Sequence, residues 1–231
     1  MTIFGLDTRD NRGDGLQIYS GTAVNVTVKK SVFRRNQAAG SAYGLNIQTT
    51  GNVLLDSVNV TGNDYGARVN TSEGTISMLG TYFKNEVYGH GSNTALDLQA
   101  KGNVSLTKLD VKDSGDSYIQ SSNGSVTLNT VNIMNNTSTF WVLAKAGATF
   151  NKVVSLYNGI GSYADGILVT LNGGLAGFTD CAFHGNSGNG IEIDYNYDAG
   201  PSAPRPTLIR TSYFGNDSDL SGGDPDLYYH Y

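Results

Sequence analysis

Eight segments of the chain share one pattern of hydrophobic positions. Each segment begins with two apolar residues that have one residue between them. After two residues of any kind come an apolar or small residue and then an apolar residue, again with one residue between them. Asn or Asp comes two or three residues later. Alternation with period 2 is typical of strands with one buried face. The segments are VTVKKSVFRRN (26–36), VLLDSVNVTGN (53–63), ISMLGTYFKN (76–85), VSLTKLDVKD (104–113), VTLNTVNIMNN (126–136), FNKVVSLYN (150–158), GFTDCAFHGN (177–186) and LIRTSYFGN (208–216).

A second alternating block precedes each copy. In the sixth copy of the first pattern, Asn151 stands where an apolar residue is expected, so that copy matches least well. Each repeat of about 25 residues therefore predicts three short strands separated by turns rich in Gly, Asn and Ser. The second blocks are GLQI (15–18), GLNI (44–47), GARV (66–69), ALDL (95–98), DSYI (116–119), TFWV (139–142), GILV (166–169) and GIEI (190–193).

Strand repeats of this length cannot bury their apolar face alone, whereas stacked coils with parallel strands can. The pattern therefore predicts an all-β fold, a right-handed parallel β-helix (β-solenoid) of about eight coils. A β-propeller or β-sandwich would need longer antiparallel strands joined by hairpins. We expect residues 1–231 to form a single domain.

Stacking of the coils predicts columns of like residues. An Asn column at the bend is expected to adopt left-handed geometry and to form amide bonds along the axis. Its members are Asn36, Asn63, Asn85, Asp113, Asn136, Asn158, Asn186 and Asn216. One inner column should contain Val28, Leu55, Met78, Leu106 and Leu128. A second should contain Phe33, Val60, Phe83, Val111, Ile133, Leu156, Phe183 and Phe214.

Composition supports this interpretation and excludes several function classes. Glycine accounts for 30 of 231 residues, charged residues for 15%, and proline for only 4 residues. This composition is unlike that of disordered or helical chains. The net charge of −5 argues against a nucleic-acid or anionic-membrane partner, and no apolar run is long enough to span a membrane. The one cysteine, Cys181, falls on an apolar position and should be a buried, inert thiol.

The repeat pattern over roughly residues 13–216 resembles the pectin-lyase-like superfamily, in particular its short-coil, NosD-like carbohydrate-binding members. The resemblance implies polysaccharide handling and an extracellular or cell-surface location. Residues 1–14 form neither a signal peptide nor the amphipathic helix that usually caps such a solenoid. We therefore expect a fragment of a longer protein, or a module whose open ends stack on further β-helix coils.

The outward positions of the second blocks suggest a binding face. Tyr118 and Trp141, the only tryptophan, should lie on adjacent coils, beside Arg68 and Asp97 in the same column. Gln99 and Gln120 should lie in the next outward column. Aromatic faces pack against sugar rings, and amides and carboxylates bind hydroxyls, so these six residues predict a saccharide site. The alternative is that a loop covers Tyr118 and Trp141, or that Trp141 points inward.

Catalysis would require two carboxyl groups within mutual reach. Asp97 and Asp116 lie on neighbouring coils, and His90 lies in YGHGSN (88–93), which resembles part of the polygalacturonase Gly-His-Gly signature. The paired-Asp motifs of that family are missing upstream. We expect Asp97 instead to form a surface ion pair with Arg68. Asp14, Asp116 and Asp165 begin coils, where a carboxylate can accept a turn N–H.

Calcium is the one cofactor that the sequence suggests, since oxygen-rich turns can bind it. One cluster contains Asp217, Asp219, Asp224 and Asp226, and the other contains Asp7, Asp10 and Asp14; we favour solvated turns for both. Three functions remain open. The first is a non-catalytic, carbohydrate-interacting or structural surface module, the second is a polysaccharide hydrolase or lyase, and the third is a self-associating solenoid segment.

Overall fold

Two parallel sheets make up the fold. The computed structural model describes residues 1–37, 42–84, 94–159, 163–195, 206–216 and 227–230, and in these ranges the chain forms twenty-three strands and no helix. Accordingly, these ranges contain no helix that could cross a membrane.

The larger sheet has fourteen strands. Towards the two ends of the molecule, each coil contributes two short strands to this sheet. In the middle of the molecule, each coil contributes a single nine-residue strand instead. Its strands are β1 (Thr2–Phe4), β2 (Asp7–Arg9), β4 (Val26–Lys29), β5 (Val32–Arg34), β7 (Val53–Asp56), β8 (Asn59–Thr61), β10 (Ile76–Lys84), β12 (Val104–Lys112), β14 (Val126–Met134), β16 (Ala148–Leu156), β18 (Ala176–Thr179), β19 (Ala182–His184), β21 (Thr207–Ile209) and β22 (Ser212–Phe214).

The smaller sheet has nine strands, each paired with the equivalent strand of the next coil. Its strands are β3 (Leu16–Tyr19), β6 (Tyr43–Thr49), β9 (Tyr65–Thr71), β11 (Leu96–Ala100), β13 (Ser117–Ser121), β15 (Phe140–Ala144), β17 (Ile167–Leu171), β20 (Ile191–Tyr195) and β23 (Leu227–His230).

Every strand pair is parallel, and the register follows the repeat. Met78, for example, faces Leu55 on one side and Leu106 on the other. The architecture is therefore an all-β parallel solenoid, which confirms the predicted fold class, and it has about seven turns where about eight coils were predicted.

The core lies between the two sheets and consists of stacked columns of like side chains. The column that begins with Val28 is fully buried from Val28 to Leu128, as predicted. The column of Phe33, Val60 and Phe83 is also fully buried and continues through Val111 and Ile133. Cys181 is buried as expected, and burial raises the pKa of its thiol, which makes it a poor nucleophile.

Two members of the predicted Phe column are wrong. Phe214 is 60% exposed, and Leu156 pairs with Met134 and His184, on the outer face of the sheet. Their places in the core are taken by Tyr213 and Ser155, which both pair with Phe183. The sixth and eighth copies begin one residue earlier than the apolar pattern indicates, and this also explains Asn151, which faces outward and binds Asn129.

The Asn column forms the predicted ladder of amide bonds. The backbone N–H and the Nδ2 of Asn158 both donate to Oδ1 of Asn186, at 3.1 and 2.9 Å. Asn136 donates to Asn158 in the same way, at 3.0 Å for both bonds. These amides satisfy backbone groups at a buried corner, where an unpaired donor would be costly.

Two details of the Asn prediction are wrong. The left-handed residue is the one before each Asn, as at Asn135 with φ +55° and Tyr157 with φ +55°. Asp113 is itself such a left-handed residue, with φ +48°, and Ser114 takes its place in the ladder by donating its N–H to Asn136 Oδ1. Because the left-handed residue turns the chain, the following Asn side chain points into the corner. Asn85 lies outside the described residues.

Candidate functional site

A groove of about 540 Å³ lies on the outer face of the nine-stranded sheet. Strands β9, β11, β13, β15 and β17 each supply one side chain, and these face one another strand by strand, in the order Arg68, Asp97, Tyr118, Trp141 and Leu168. The remaining lining residues are at the start of their strands or before them, and they are Tyr43, Thr94, Asp116, Ser117, Ser138 and Thr139.

Strand alternation explains why these side chains face outward. The neighbours Leu98, Ile119 and Val142 are fully buried in the core. Successive residues of a strand point to opposite faces, so Asp97, Tyr118 and the residues aligned with them must point away from the core.

Trp141 and Tyr118 form an aromatic pair on this face. Their rings meet edge to face, with centroids 5.6 Å apart and an angle of 87°. The indole Nε1–H donates to the hydroxyl of Thr170 at 3.0 Å, which fixes the ring, and 43% of Trp141 remains exposed. Burial, and then the charge of Asp97, raise the pKa of the Tyr118 phenol, which therefore stays neutral. The prediction that Trp141 faces outward is confirmed.

Arg68 and Asp97 form the predicted ion pair, with 3.0 Å between Nε of Arg68 and Oδ2 of Asp97. The other carboxylate oxygen of Asp97 accepts a bond from Nε2 of Gln99 at 2.8 Å. The hydrogen bond that Arg68 donates to Asp97 is the main reason that the pKa of the Arg68 guanidinium is raised. Both oxygens of Asp97 are therefore occupied by donors.

Sequence reasoning missed two tyrosines next to this ion pair. The Arg68 guanidinium lies 5.2 Å from the centre of the Tyr43 ring, a cation–π contact, and Tyr43 stacks on Tyr65 at 5.0 Å. Each tyrosine precedes a glycine at the start of its strand. At Gly44 a Cβ would come within 2.8 Å of Asn63 Nδ2, so only glycine fits beneath the ladder. The Tyr-Gly pair that recurs in consecutive coils is the sequence feature from which these two tyrosines could have been predicted.

The six residues predicted to bind saccharide divide between two depressions of the same face. Arg68, Asp97, Tyr118 and Trp141 line the large groove. Gln99 and Gln120 line a neighbouring depression of about 230 Å³, which also contains Asn70, Lys101 and Asn123. All six residues therefore lie on one outward face, but in two adjacent depressions and not in the single groove that was predicted.

The proposed catalytic carboxylates do not form an acid/base arrangement among the described residues. Asp97 and Asp116 both line the groove, but Asp97 is bound to Arg68 and Gln99, and Asp116 is exposed. His90 lies outside the described residues.

The calcium candidates are either outside the described residues or separately paired. Asp217, Asp219, Asp224 and Asp226 lie outside the described residues. Asp7 and Asp10 form ion pairs with arginines, whereas Asp14 accepts the N–H of Tyr43 at 2.8 Å, as expected at the start of a coil. The described residues contain no cluster of three metal-binding side chains from Asp, Glu, His or Cys.

A buried carboxyl group, Asp165, close to the partly exposed Glu192 was not foreseen. Asp165 is only 5% exposed and accepts the N–H of Asn189 at 2.8 Å, while the Asn189 side chain donates to Glu192 at 2.8 Å. Burial, followed by the charge of Glu192, raises the pKa of Asp165 to about 6. Asp165 and Glu192 are 27 positions apart, so only the coil register brings them together. Asp165 precedes the strand that pairs with that of Trp141, and Glu192 lies one coil further along.

No protein family, curated protein or solved structure was found to match this chain. The β-solenoid architecture itself is established by the strand pairing.

Proposed function

We propose that this protein is a non-catalytic β-solenoid module that binds a saccharide in the large groove. The finer assignment to the pectin-lyase-like superfamily, with a NosD-like short-coil repeat and an extracellular or cell-surface location, belongs to the same proposal. The observation that carries it is the partly exposed Trp141 ring, held by Tyr118 and Thr170 inside a groove of ligand-binding size.

The groove combines the two kinds of group that a sugar requires. The Trp141 ring offers an apolar surface to the C–H face of a pyranose. The hydroxyls of Ser138 and Thr139 and the Asp116 carboxylate, all lining residues, offer hydrogen bonds to sugar hydroxyls. Because Trp141 is already hydrogen-bonded to Thr170, little side-chain order has to be gained on binding.

Binding is favoured over hydrolysis by the state of the carboxyl groups. Both oxygens of Asp97 already accept bonds from Arg68 and Gln99. The Asp165 carboxyl accepts the N–H of Asn189, and the Glu192 carboxylate accepts a bond from the Asn189 side chain, so both groups are already engaged by Asn189. Asp165 is also nearly inaccessible. Neither pair has the arrangement of a hydrolase.

The test is a glycan array of neutral and acidic saccharides, followed by calorimetry on the best ligand. Trp141→Ala should weaken binding at least about tenfold, because the stacking contact and its buried area are lost. Tyr118→Ala should weaken it less, because its ring supports Trp141. Tyr157→Ala, which removes an exposed aromatic ring that follows β16 of the other sheet, is the matched control and should bind like the wild type.

Two results would contradict the proposal. One is the absence of any saccharide ligand, and the other is binding that survives Trp141→Ala in a protein with an unchanged melting temperature. A polysaccharide activity screen on the same preparation tests the hydrolase or lyase alternative. Sedimentation over a concentration series tests end-to-end association of solenoid coils.

A further inference from the structure

The smaller depression of about 230 Å³ lies on the same face as the large groove, over the ends of strands β9, β11 and β13. Each of these strands contributes one outward amide side chain to it, namely Asn70, Gln99 and Gln120. Gln99 faces Asn70 on one side and Gln120 on the other, so the three amides form a short row across consecutive coils. We call this surface the amide depression.

The amide depression adjoins the large groove along two strands. On β11, Asp97 lines the groove and Gln99 the depression, and on β13 Tyr118 and Gln120 divide in the same way. Residues two apart on a strand point to the same side and lie about 7 Å apart, which is on the order of the length of one sugar ring. Tyr118 also faces Trp141 on the next strand, so Gln120 is the diagonal neighbour of Trp141. A ligand longer than one ring can therefore lie across both surfaces.

The size of the amide depression suits part of a ligand and not a whole one. Pockets that enclose a ligand have volumes of about 300–1,000 Å³. The depression is smaller than this, whereas the groove of about 540 Å³ is within the range. The described lining of the depression also contains no aromatic ring on which a sugar could pack. A ring that binds there is best held as the continuation of one that packs against Trp141.

The amides of the depression are available to a ligand. In the part of the chain that the structure describes, neither the Asn70 nor the Gln120 side chain forms a hydrogen bond. Gln99 donates its amide N–H to Asp97, which leaves its carbonyl oxygen as an acceptor. A side-chain amide offers both donors and an acceptor, and a sugar hydroxyl requires both kinds of partner.

Neither surface offers an unpaired cation to a charged sugar. The described cations that line them are Arg68, which is bound to Asp97, and Lys101, which is bound to Glu73. The groove also contains the Asp116 carboxylate, which forms no ion pair within the described ranges. A uronate would therefore lose its hydration without gaining a cation, and Asp116 would repel it. An uncharged sugar avoids both costs.

We propose that the ligand is an uncharged oligosaccharide of at least two rings that extends from the groove into the amide depression. This inference rests on the proposed function, because it takes one ring to pack against Trp141. The next ring lies over the amide depression, where Asn70 and Gln120 exchange hydrogen bonds with its hydroxyls and the Gln99 carbonyl accepts one. The groove supplies the apolar contact, and the depression selects for chain length and against charge.

The experiment is calorimetry on the full chain with malto-, cello- and manno-oligosaccharides of one to six units, and with oligogalacturonates of the same lengths as the charged series. For at least one neutral series, we expect the affinity to rise about tenfold between the length that fills the groove and the length that reaches the depression. The rise reflects about two added hydrogen bonds of roughly 1 kcal/mol each. Oligogalacturonates should bind at least about tenfold more weakly than neutral chains of equal length.

Variants of the free amides test the contribution of the depression. Gln120→Ala and Asn70→Ala should each remove most of the rise with chain length, whereas Trp141→Ala should weaken binding at every length. Asn59→Ala removes an exposed amide from β8 of the other sheet, so it is the matched control and should bind like the wild type. Melting curves establish that each variant folds.

Two further variants test the preference for an uncharged chain. Gln120→Lys places a cation in the amide depression, and it should raise the affinity for oligogalacturonates severalfold. Lys145 donates to Asn123 at the edge of the depression, with 3.4 Å between its Nζ and the amide oxygen. Lys145→Gln should change neither series, because the amides and not this edge cation hold the ligand.

The inference is wrong, and the proposed function remains, if a saccharide binds with an affinity that does not rise with chain length. The same holds if the rise survives in both Gln120→Ala and Asn70→Ala, or if oligogalacturonates bind as tightly as neutral chains. Failure of every saccharide to bind, at any length, would instead overturn the proposed function together with this inference. A rise that is lost in both amide variants and kept in Asn59→Ala supports the extended site.

Discussion

The two outer faces of this solenoid differ in charge although they share one core. Strands of the nine-stranded sheet contain one basic residue, Arg68, and three acids: Asp97, Glu192 and Asp194. Strands of the fourteen-stranded sheet contain three acids, Asp7, Asp56 and Asp110, and seven basic residues, which are Arg9, Lys29, Arg34, Lys84, Lys108, Lys112 and Lys152. The first face therefore suits an uncharged ligand with an apolar surface, whereas the second is predominantly basic.

The comparison shows which positions of a repeat fold can vary in sequence from coil to coil. Inward positions must be apolar in every coil, because each coil packs on the next. Outward positions carry no such requirement, so a run such as Arg68, Asp97, Tyr118 and Trp141 can differ at every step. We therefore expect ligand-binding side chains in the outward columns, at positions where the repeat is broken.

The largest expected effect comes from removing the core that both faces share. Phe83 is fully buried, and Phe83→Ala should lower the free energy of unfolding by about 3–5 kcal/mol, through lost burial and the cavity left behind. Urea denaturation measures this. Leu79→Ala, at a 43% exposed position of the same strand, should cost less than about 1 kcal/mol. Equal losses at both positions would contradict the assigned register.

The next effect concerns the nine-stranded face alone and depends on pH. The pKa of Asp165 is about 6 in the folded protein, above its ordinary value of 3.8. The folded state therefore holds this proton more tightly than the unfolded state, and stability falls as the pH rises from about 4 through 6. The contribution lost is on the order of 3 kcal/mol.

Denaturation curves measured between pH 4 and pH 8 test this prediction. The isosteric variant Asp165→Asn should flatten this part of the profile, and Asp116→Asn, an exposed carboxylate lining the groove, should leave it unchanged. A profile that is the same for wild type and Asp165→Asn would show that Asp165 does not control this part of the stability.

A smaller loss is expected at the corner that joins the two faces. Asn158 is buried and bonds both Asn136 and Asn186, so Asn158→Ala should leave buried partners unsatisfied and cost about 2–3 kcal/mol. Thermal melting gives the value. Asn129→Ala, which removes an outward amide bonded to Asn151, is the matched control and should change little. A similar melting temperature for both variants would show that the ladder is not a stabilising element.

The smallest effect is expected at the ion pair in the groove. Arg68 is 42% exposed and the pair is open to salt, so Asp97→Asn should change the free energy of unfolding by less than about 1 kcal/mol. Equilibrium denaturation at 0.05 and 1 M NaCl measures it, and the difference from wild type should shrink at high salt. A loss of several kcal/mol would mean that Asp97 supports the fold and does not merely line the groove.

Most of the fold could be predicted from the sequence because core burial imposes a local period. Val28, Phe33 and Phe83 were placed correctly, as were the outward columns that run through Asp97, Tyr118 and Trp141. The errors arose where two registers fit the apolar pattern equally well. At Ser155–Leu156 and Tyr213–Phe214, the more apolar residue is the outer one, and only strand pairing reveals this.

The sequence by itself determined the parallel stacking, the core columns and the face on which the aromatic residues lie, because alternation and repeat length are properties of neighbouring residues. The tertiary structure alone decided which side chains meet across coils. Tyr43 lies under Arg68, Asp165 accepts the N–H of Asn189, and Arg34 and Lys84 line the same depression. These contacts join residues more than 20 positions apart, and their geometry depends on where each coil turns. A shift of one residue in a turn moves a side chain from one face of the sheet to the other.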